Sequence, residues 1–94
     1  MPTATIIWTA SPSTDVVGHE VHRGLGGAPL TILATVGNVL TYVDATVPNV
    51  SQNDSYGVKA FDAAGNRSPM SNVITQAVDV TPPQAPVIQS VVIS

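Results

Sequence analysis

The chain contains no cysteine among its 94 residues, so a disulfide and a cysteine-ligated metal site are both excluded. Charged residues make up only 10% of the chain, against about 25% in an average globular protein. The cations are Arg23, Lys59 and Arg67, and the net charge is −3. Because a nucleic-acid surface needs a basic stripe to neutralise phosphates, this composition argues against nucleic-acid binding.

Long hydrophobic runs are also missing. No apolar stretch reaches the roughly 18 residues that a membrane-spanning helix needs, so no membrane partner is expected. The N-terminal sequence Met-Pro-Thr-Ala-Thr has no basic segment followed by an apolar one, and it therefore does not resemble a signal peptide. If Met1 is the initiator, the sequence predicts a product made without a secretion signal.

Apolar residues nevertheless make up 44% of the chain, which is enough for one modest core. They lie in short segments whose side chains alternate between two faces, which is the period of a strand and not of a helix. Turns rich in Gly, Pro, Asn and Ser separate these segments, which are residues 4–9, 17–23, 31–36, 40–45, 55–61, 71–78 and 87–93. The spacing predicts an all-β, antiparallel sandwich of about seven strands, with a small closed barrel as the alternative.

The chain is organised around residues 55–68, where a predicted central strand runs into a tight turn. In this turn Gly65 can adopt a positive φ, Asn66 tolerates one, and Asp62 can accept hydrogen bonds from the backbone N–H groups that follow it. Trp8, the single tryptophan, is the expected core anchor because its side chain has the largest apolar area to bury.

Several motifs, taken in order, resemble a fibronectin type III domain of the bacterial type and so imply an immunoglobulin-like sandwich. The resemblance covers roughly residues 3–78. It implies that Tyr56 is the corner tyrosine, whose hydroxyl bonds to upstream backbone. The matching segments are Ile6-x-Trp8, Gly18-His-Glu-Val-His-Arg23, Thr41-Tyr-Val-Asp44 with Val47, Ser55-Tyr-x-Val-x-Ala60 and Asp62-Ala-Ala-Gly-Asn-Arg-Ser68.

One feature departs from that family pattern. The family's first strand, with its Pro-rich lead, should precede Ala4, but a segment of this kind lies at the other end of the chain. The sequence thus predicts a sandwich body at 1–78, a Pro-rich linker at 79–86 and a C-terminal strand at 87–94. The apolar residues of this strand are Val87, Ile88, Val91, Val92 and Ile93.

Three arrangements of this C-terminal segment are consistent with the sequence. It adds as a strand to a neighbouring chain, which leads to rings, filaments or attachment to another protein. Alternatively, it folds back and pairs parallel to the first body strand of its own chain, or it frays as the end of a fragment. Addition to a neighbour is favoured, because Pro82, Pro83 and Pro86 direct the linker outward.

No constellation of catalytic or metal-binding residues is recognisable. His19 and His22 lie three apart on a predicted strand and point to opposite faces, so they cannot share a metal ion. His19 is expected to pack in the core and His22 to lie on the surface. The carboxylates are scattered, Asp44 and Asp62 being expected to tie loops. We therefore predict neither an enzyme nor a cofactor; the remaining carboxylates are Asp15, Glu20, Asp54 and Asp79.

The sequence predicts a non-catalytic structural or attachment module that interacts with protein partners. Its C-terminal strand is the main candidate contact, and Arg67 and Met70 in an exposed loop are further ones. By analogy with other such modules, the expected setting is a phage virion, as a head decoration or tail protein. The alternative is a spacer or carbohydrate-associated module from a secreted bacterial enzyme or adhesin, so the expected location is the virion or the extracellular space.

Overall fold

The computed structural model describes residues 2–93, and regular structure in this part of the chain is entirely β. Six strands form two antiparallel sheets, with the order β1-β4 in one and β3-β2-β5-β6 in the other. The predicted all-β, antiparallel architecture is confirmed. The strands are β1 (Ala4–Ile7), β2 (Val16–Leu25), β3 (Thr31–Val36), β4 (Thr41–Asp44), β5 (Gln52–Asp62) and β6 (Ile74–Val78).

The expected count of about seven strands is not reached, because residues 87–93 form no strand within the chain. An isolated extended segment has no neighbour to accept its backbone hydrogen bonds, so its β-propensity alone does not make it a strand. The predicted limits 1–78 and 87–94 include Met1 and Ser94, which lie outside the described residues.

The core lies between the two sheets and is built from alternating positions. On β5, Tyr56, Val58 and Ala60 point inward and are buried. Val21, on the adjacent β2, has no exposed surface, and Val47 follows β4 into the same core. Valine and tyrosine favour a pleated, half-buried surface, which is why these segments become central strands.

The two sheets are aligned by contacts at each end. The hydroxyl of Tyr56 on β5 reaches Asp44, which pairs with the first residue of β1. Trp8, immediately after β1, packs on the ring of His19, with a centroid distance of 5.3 Å, and His19 pairs with Ala60 further along β5. β1 therefore runs in the same direction as β5 and opposite to β6.

The last strand is shorter than its apolar pattern predicts, beginning at Ile74 and not at residue 71. Where the predicted start of this strand would have paired with β5, two serines bond to the edge of β5 instead. The Ser71 hydroxyl accepts from the Val58 N–H at 2.9 Å, and the Ser68 hydroxyl accepts from the Ala60 N–H at 2.9 Å. A serine side chain can satisfy backbone donors without forming a ladder, and it thereby competes with a regular strand.

The middle of the outer face of the four-stranded sheet is covered as well, by the segment that follows β5. Met70 lies over Gly57, so closely that a Cβ there would come within 2.7 Å of its sulfur. The predicted surface position of His22 is wrong: its side chain is buried beside Glu20, because this segment folds over the middle of β2.

Beyond β6 the chain leaves the sandwich as an extended arm. Val80 donates its N–H to the Ser51 hydroxyl at 3.1 Å, and the Thr81 and Ser51 hydroxyls are 3.1 Å apart. Residues 82–93 are exposed throughout. The molecule measures 80 × 25 × 20 Å as a result.

Candidate functional site

A groove lies between the free edge of β1 and the inward face of β6. Its volume is about 650 Å³. Residues 2–7 form one wall, residues 74–80 form the other, and Tyr56 and Val58 contribute to the lining. β1 pairs with β4 on one side only, so its second edge presents unpaired backbone groups to this groove.

One groove residue, Ile74, lies at a core position of its strand but is not buried. Ile74 pairs directly with Tyr56, so both side chains point toward the opposite sheet. Tyr56 is 8% exposed, whereas Ile74 is 60% exposed. The difference arises because no strand of the described residues lies beside β1 to cover Ile74, so the sandwich is open along this side.

The groove also holds one buried, unsatisfied carboxylate oxygen. Asp54 is 1% exposed, and its Oδ1 accepts from the Gly26 N–H at 3.2 Å and from the Gln52 amide at 2.9 Å. Its Oδ2 has no hydrogen-bond partner among the described residues. Such an atom favours an occupant that brings N–H donors, because an unpaired buried acceptor is costly.

A second carboxylate, that of Asp44, joins the two sheets. It is fully buried and accepts four hydrogen bonds. Thr46 supplies two of them, from its backbone N–H at 2.9 Å and its hydroxyl at 2.6 Å. The Tyr56 hydroxyl donates at 2.8 Å and the Arg23 guanidinium at 3.0 Å. Asp44 thus connects β4 of one sheet with β2 and β5 of the other.

These contacts displace the pKa values of both Asp44 and Tyr56. Burial raises the pKa of Asp44, but the hydrogen bonds from Thr46, Tyr56 and Arg23 outweigh it and hold that pKa below its ordinary value. Burial, together with the bond to the Asp44 carboxylate, raises the pKa of Tyr56. The family resemblance implied that the Tyr56 hydroxyl bonds to upstream backbone. In the structure it bonds to the Asp44 side chain instead.

The turn after β5 is tied by Asp62. Its Oδ1 accepts from the N–H groups of Ala64 at 3.0 Å and Asn66 at 2.9 Å, and its Oδ2 accepts from the Asn66 side chain at 3.0 Å. These bonds, led by the one from the Asn66 side chain, lower the pKa of Asp62. Gly65 adopts a φ of 86°, whereas no residue other than glycine in the described chain has a positive φ.

Arg67 and Met70, predicted to contact a partner, both make contacts within the molecule. The Arg67 Nε donates to Glu20 at 2.7 Å, which lowers the pKa of the Glu20 carboxyl. His22 lies 3.4 Å from the other Glu20 oxygen. Met70 fills the space over Gly57. These intramolecular roles account for both residues, and their contact with a partner stays a prediction.

A shallow depression of about 190 Å³ brings Asp15 and Asp62 to one surface. Glycoside hydrolysis by two carboxyls needs one of them protonated at neutral pH, with a raised pKa. Asp62 is the reverse of such an acid, because three hydrogen bonds to its oxygens lower its pKa. Asp62 therefore cannot be the proton donor of such a pair.

Other site types have no counterpart in residues 2–93. No three His, Asp or Glu side chains of this region are grouped so that they could hold a metal ion. No helix in it is long and apolar enough to cross a membrane. His19 packs on Trp8, and its Nδ1 lies 3.2 Å from the Gly37 carbonyl, so its ring is occupied in the core.

The five apolar residues predicted to bind a partner are strongly exposed and lie away from the body. Their exposed fractions run from 74% at Val91 to 92% at Ile93. The structure brings none of them into the groove. The remaining members of the set are Val87, Ile88 and Val92.

Sequence reasoning missed the structural importance of Thr46 and Asp54. For Thr46 the signal is the Asp44-x-Thr46 spacing, in which a carboxylate can bond the N–H two residues later. For Asp54 the signal is its parity with Tyr56 and Val58, which places a carboxylate on the buried face of a strand.

The chain is similar to a small part of a known enzyme. Over 96 aligned residues the chain is 40% identical to Exoglucanase B of Cellulomonas fimi. The match covers 93% of this chain but only 8% of the exoglucanase, so the chain corresponds to a small part of that protein. No protein-family model matches the chain. No solved structure matches it either.

Proposed function

We propose that the chain is a non-catalytic, fibronectin type III-like module that connects and spaces the domains of an extracellular glucan-degrading enzyme. The observation that carries the proposal is the coverage of the match, which takes in nearly all of this chain and 8% of an exoglucanase. A segment of that size is one module of a much larger protein. An exoglucanase acts on a polymer too large to cross a membrane, which favours an extracellular location.

The geometry of the sandwich supports a role without catalysis. Asp44 and Asp62 are each engaged by several hydrogen bonds that lower their pKa values, and Glu20 is paired with Arg67. A carboxylate held in this way neither delivers a proton at neutral pH nor is free to attack a sugar. These three acids are therefore better suited to tying the fold together.

The surface favours a spacer over a carbohydrate-binding module. Sugar rings are commonly held by stacking on an accessible aromatic side chain. The four aromatic residues of this chain are Trp8, Tyr42, Tyr56 and Phe61; Tyr56 is buried and the other three are half-buried, so none of them presents a fully open ring face. The Pro-rich arm after β6 suits spacing, because eight residues in a polyproline conformation extend about 25 Å and resist bending.

The relative is an exoglucanase, and this supports the spacer interpretation over the virion one. A virion decoration or tail role has no support from the comparisons.

The test is to incubate the purified chain with soluble and insoluble glucan, using a cellulase as positive control. We expect no release of reducing sugar and no sedimentation of the chain with microcrystalline cellulose. Release of sugar would overturn the non-catalytic assignment. Co-sedimentation that soluble glucan competes away would replace the spacer role by carbohydrate binding.

A further inference from the structure

We infer that the groove between β1 and β6 is a strand-docking site, and that its occupant is residues 87–93 of a second copy of the chain. This inference concerns association of the 94-residue chain itself and goes beyond the proposed function, because the spacer role does not assign the groove an occupant. It rests on the free edge of β1, the exposed inward face of β6 and the unpaired apolar arm.

The groove is missing one strand and not a small ligand. The β1 edge offers unpaired N–H and C=O groups in a row, which an extended backbone satisfies and a compact molecule does not. Beside it, Ile74 is 60% exposed although it faces the interior. A strand laid along β1 would pair with that edge and cover Ile74 at the same time.

The arm matches the groove in length. Residues 2–7 form the β1 wall of the groove, and six residues of strand span about 20 Å. Residues 87–93 would extend about 23 Å as a strand. Neither segment needs to be stretched or looped out for the two to pair along their whole length.

The arm also matches the groove in polarity. In an extended conformation Val87, Val91 and Ile93 share one face, which is apolar except for Gln89. Gln89 adds amide donors on the face turned toward the groove, where Asp54 has an oxygen without a partner. Residues 80–93 carry no charge, and the groove is lined by acidic but no basic side chains, so a neutral strand enters it without repulsion.

The structure favours a second copy over the arm of the same molecule. The arm leaves from Val78, at the Gln52 end of β5, which is also the end where β1 begins. To reach its own groove it would have to reverse within the linker and run parallel to β1. The linker carries Pro82, Pro83 and Pro86, and the arm continues outward to give the molecule its 80 Å length. From another molecule the segment can enter antiparallel to β1, the direction that pairs more favourably.

The experiment measures association of the full chain by sedimentation equilibrium over a series of concentrations, with two matched variants. We expect the wild type to rise above the 9.7 kDa mass of one chain as concentration increases. Val91→Lys places a charge on the groove-facing side of the added strand, and we expect it to weaken association by about tenfold or more. Val92→Lys carries the same charge one residue later on the outward face, and association should be nearly that of the wild type.

A cysteine pair tests the site directly, and the absence of native cysteine makes the pairing unambiguous. Thr5→Cys and Ser90→Cys, combined in one chain, place a thiol at the middle of each segment on the outward face. Under oxidising conditions we expect covalent dimers and higher multimers on a non-reducing gel, because each chain both donates and accepts a strand.

Three outcomes would overturn the inference. One is a wild-type chain that stays monomeric at every concentration. Another is that Val91→Lys and Val92→Lys weaken association equally, which would mean that association does not depend on which face of the added strand carries the charge. The third is a double-cysteine chain that forms only an internal disulfide, which would assign the groove to its own arm. The far-UV circular dichroism of every variant should match the wild type, since residues 82–93 and Thr5 are exposed.

Discussion

Asp44 shows how a single buried carboxylate can hold this small sandwich together. Two of its four hydrogen bonds come from Thr46 in the loop after β4, and the other two come from Tyr56 and Arg23 on the opposite sheet. Burying a charge costs free energy unless its hydrogen-bonding capacity is filled, and here it is filled. Removing one donor therefore affects more than the contact itself, because it leaves the charge less compensated.

Tyr56→Phe tests this arrangement. We expect a loss of about 2 kcal/mol in the free energy of unfolding, since the variant loses a hydrogen bond to a charged group. The measurement is urea denaturation at neutral pH. Tyr42→Phe is the matched control, because no hydrogen bond of the Tyr42 hydroxyl is found in residues 2–93 and its loss should change stability by less than about 0.5 kcal/mol. Equal effects of the two substitutions would contradict a special role for the Asp44 contact.

At the scale of elements, the turn after β5 depends on one glycine. Gly65 has a φ of 86°, and a Cβ at this position would meet no atom within 4 Å. Only the backbone conformation therefore disfavours a side chain there. Gly37 offers the same open space without a positive φ. Because neither position is crowded, a comparison of alanine substitutions at Gly65 and Gly37 isolates the effect of backbone strain.

Gly65→Ala should lower the free energy of unfolding by about 1 kcal/mol, because an L-residue is strained in the left-handed region. Gly37→Ala should be neutral or stabilise by up to about 1 kcal/mol through the reduced entropy of the unfolded chain. Thermal unfolding of both variants beside the wild type is the measurement. A Gly65→Ala protein as stable as the Gly37→Ala protein would refute the argument from φ.

The edge of β1 is the other decisive element. Natural sheets usually protect an edge strand by charge, proline, a bulge or a covering segment. The segment Ala4-Thr-Ile-Ile7 contains no charge and no proline, and Ile7 is 77% exposed. Such an unprotected edge is what strand addition from the exposed arm would use.

At the scale of the whole molecule, stability should depend on pH at both extremes. The pKa values of Glu20, Asp44 and Asp62 are lowered in the folded state, so their contributions are present above the ordinary pKa values of 4.5 and 3.8. They are lost as the pH falls through the lowered values. The pKa of Tyr56 is raised, so its contribution is present below the ordinary value of 10.0 and is lost as the pH rises beyond it.

Urea denaturation across a pH series should therefore give a plateau around neutrality with a decline on each side. The decline begins near the ordinary carboxyl pKa values on the acid side and near that of tyrosine on the alkaline side. In Tyr56→Phe the alkaline decline should be smaller, while the acid decline from Glu20 and Asp62 remains. A stability that is constant from neutral to strongly acidic pH would rule out these carboxylate contributions.

The sequence by itself determined the features that arise from local chemistry. Alternating side chains set the six body strands and their inward faces, since strand period and side-chain direction are properties of neighbouring residues. The turn at Asp62 and Gly65 was likewise readable, because an acceptor and a residue free in φ lie within a few positions of each other.

Only the tertiary structure decided the features that join distant parts of the chain. His22 is buried because the segment after β5 folds over β2, which its strand period cannot reveal. The last strand is shortened because Ser68 and Ser71 bond to β5. The groove exists because β1 and β6, separated by most of the chain, face each other with no strand of residues 2–93 between them. Such contacts depend on which elements become neighbours in space, and this is set by the balance of packing over the entire sandwich and not by any one segment.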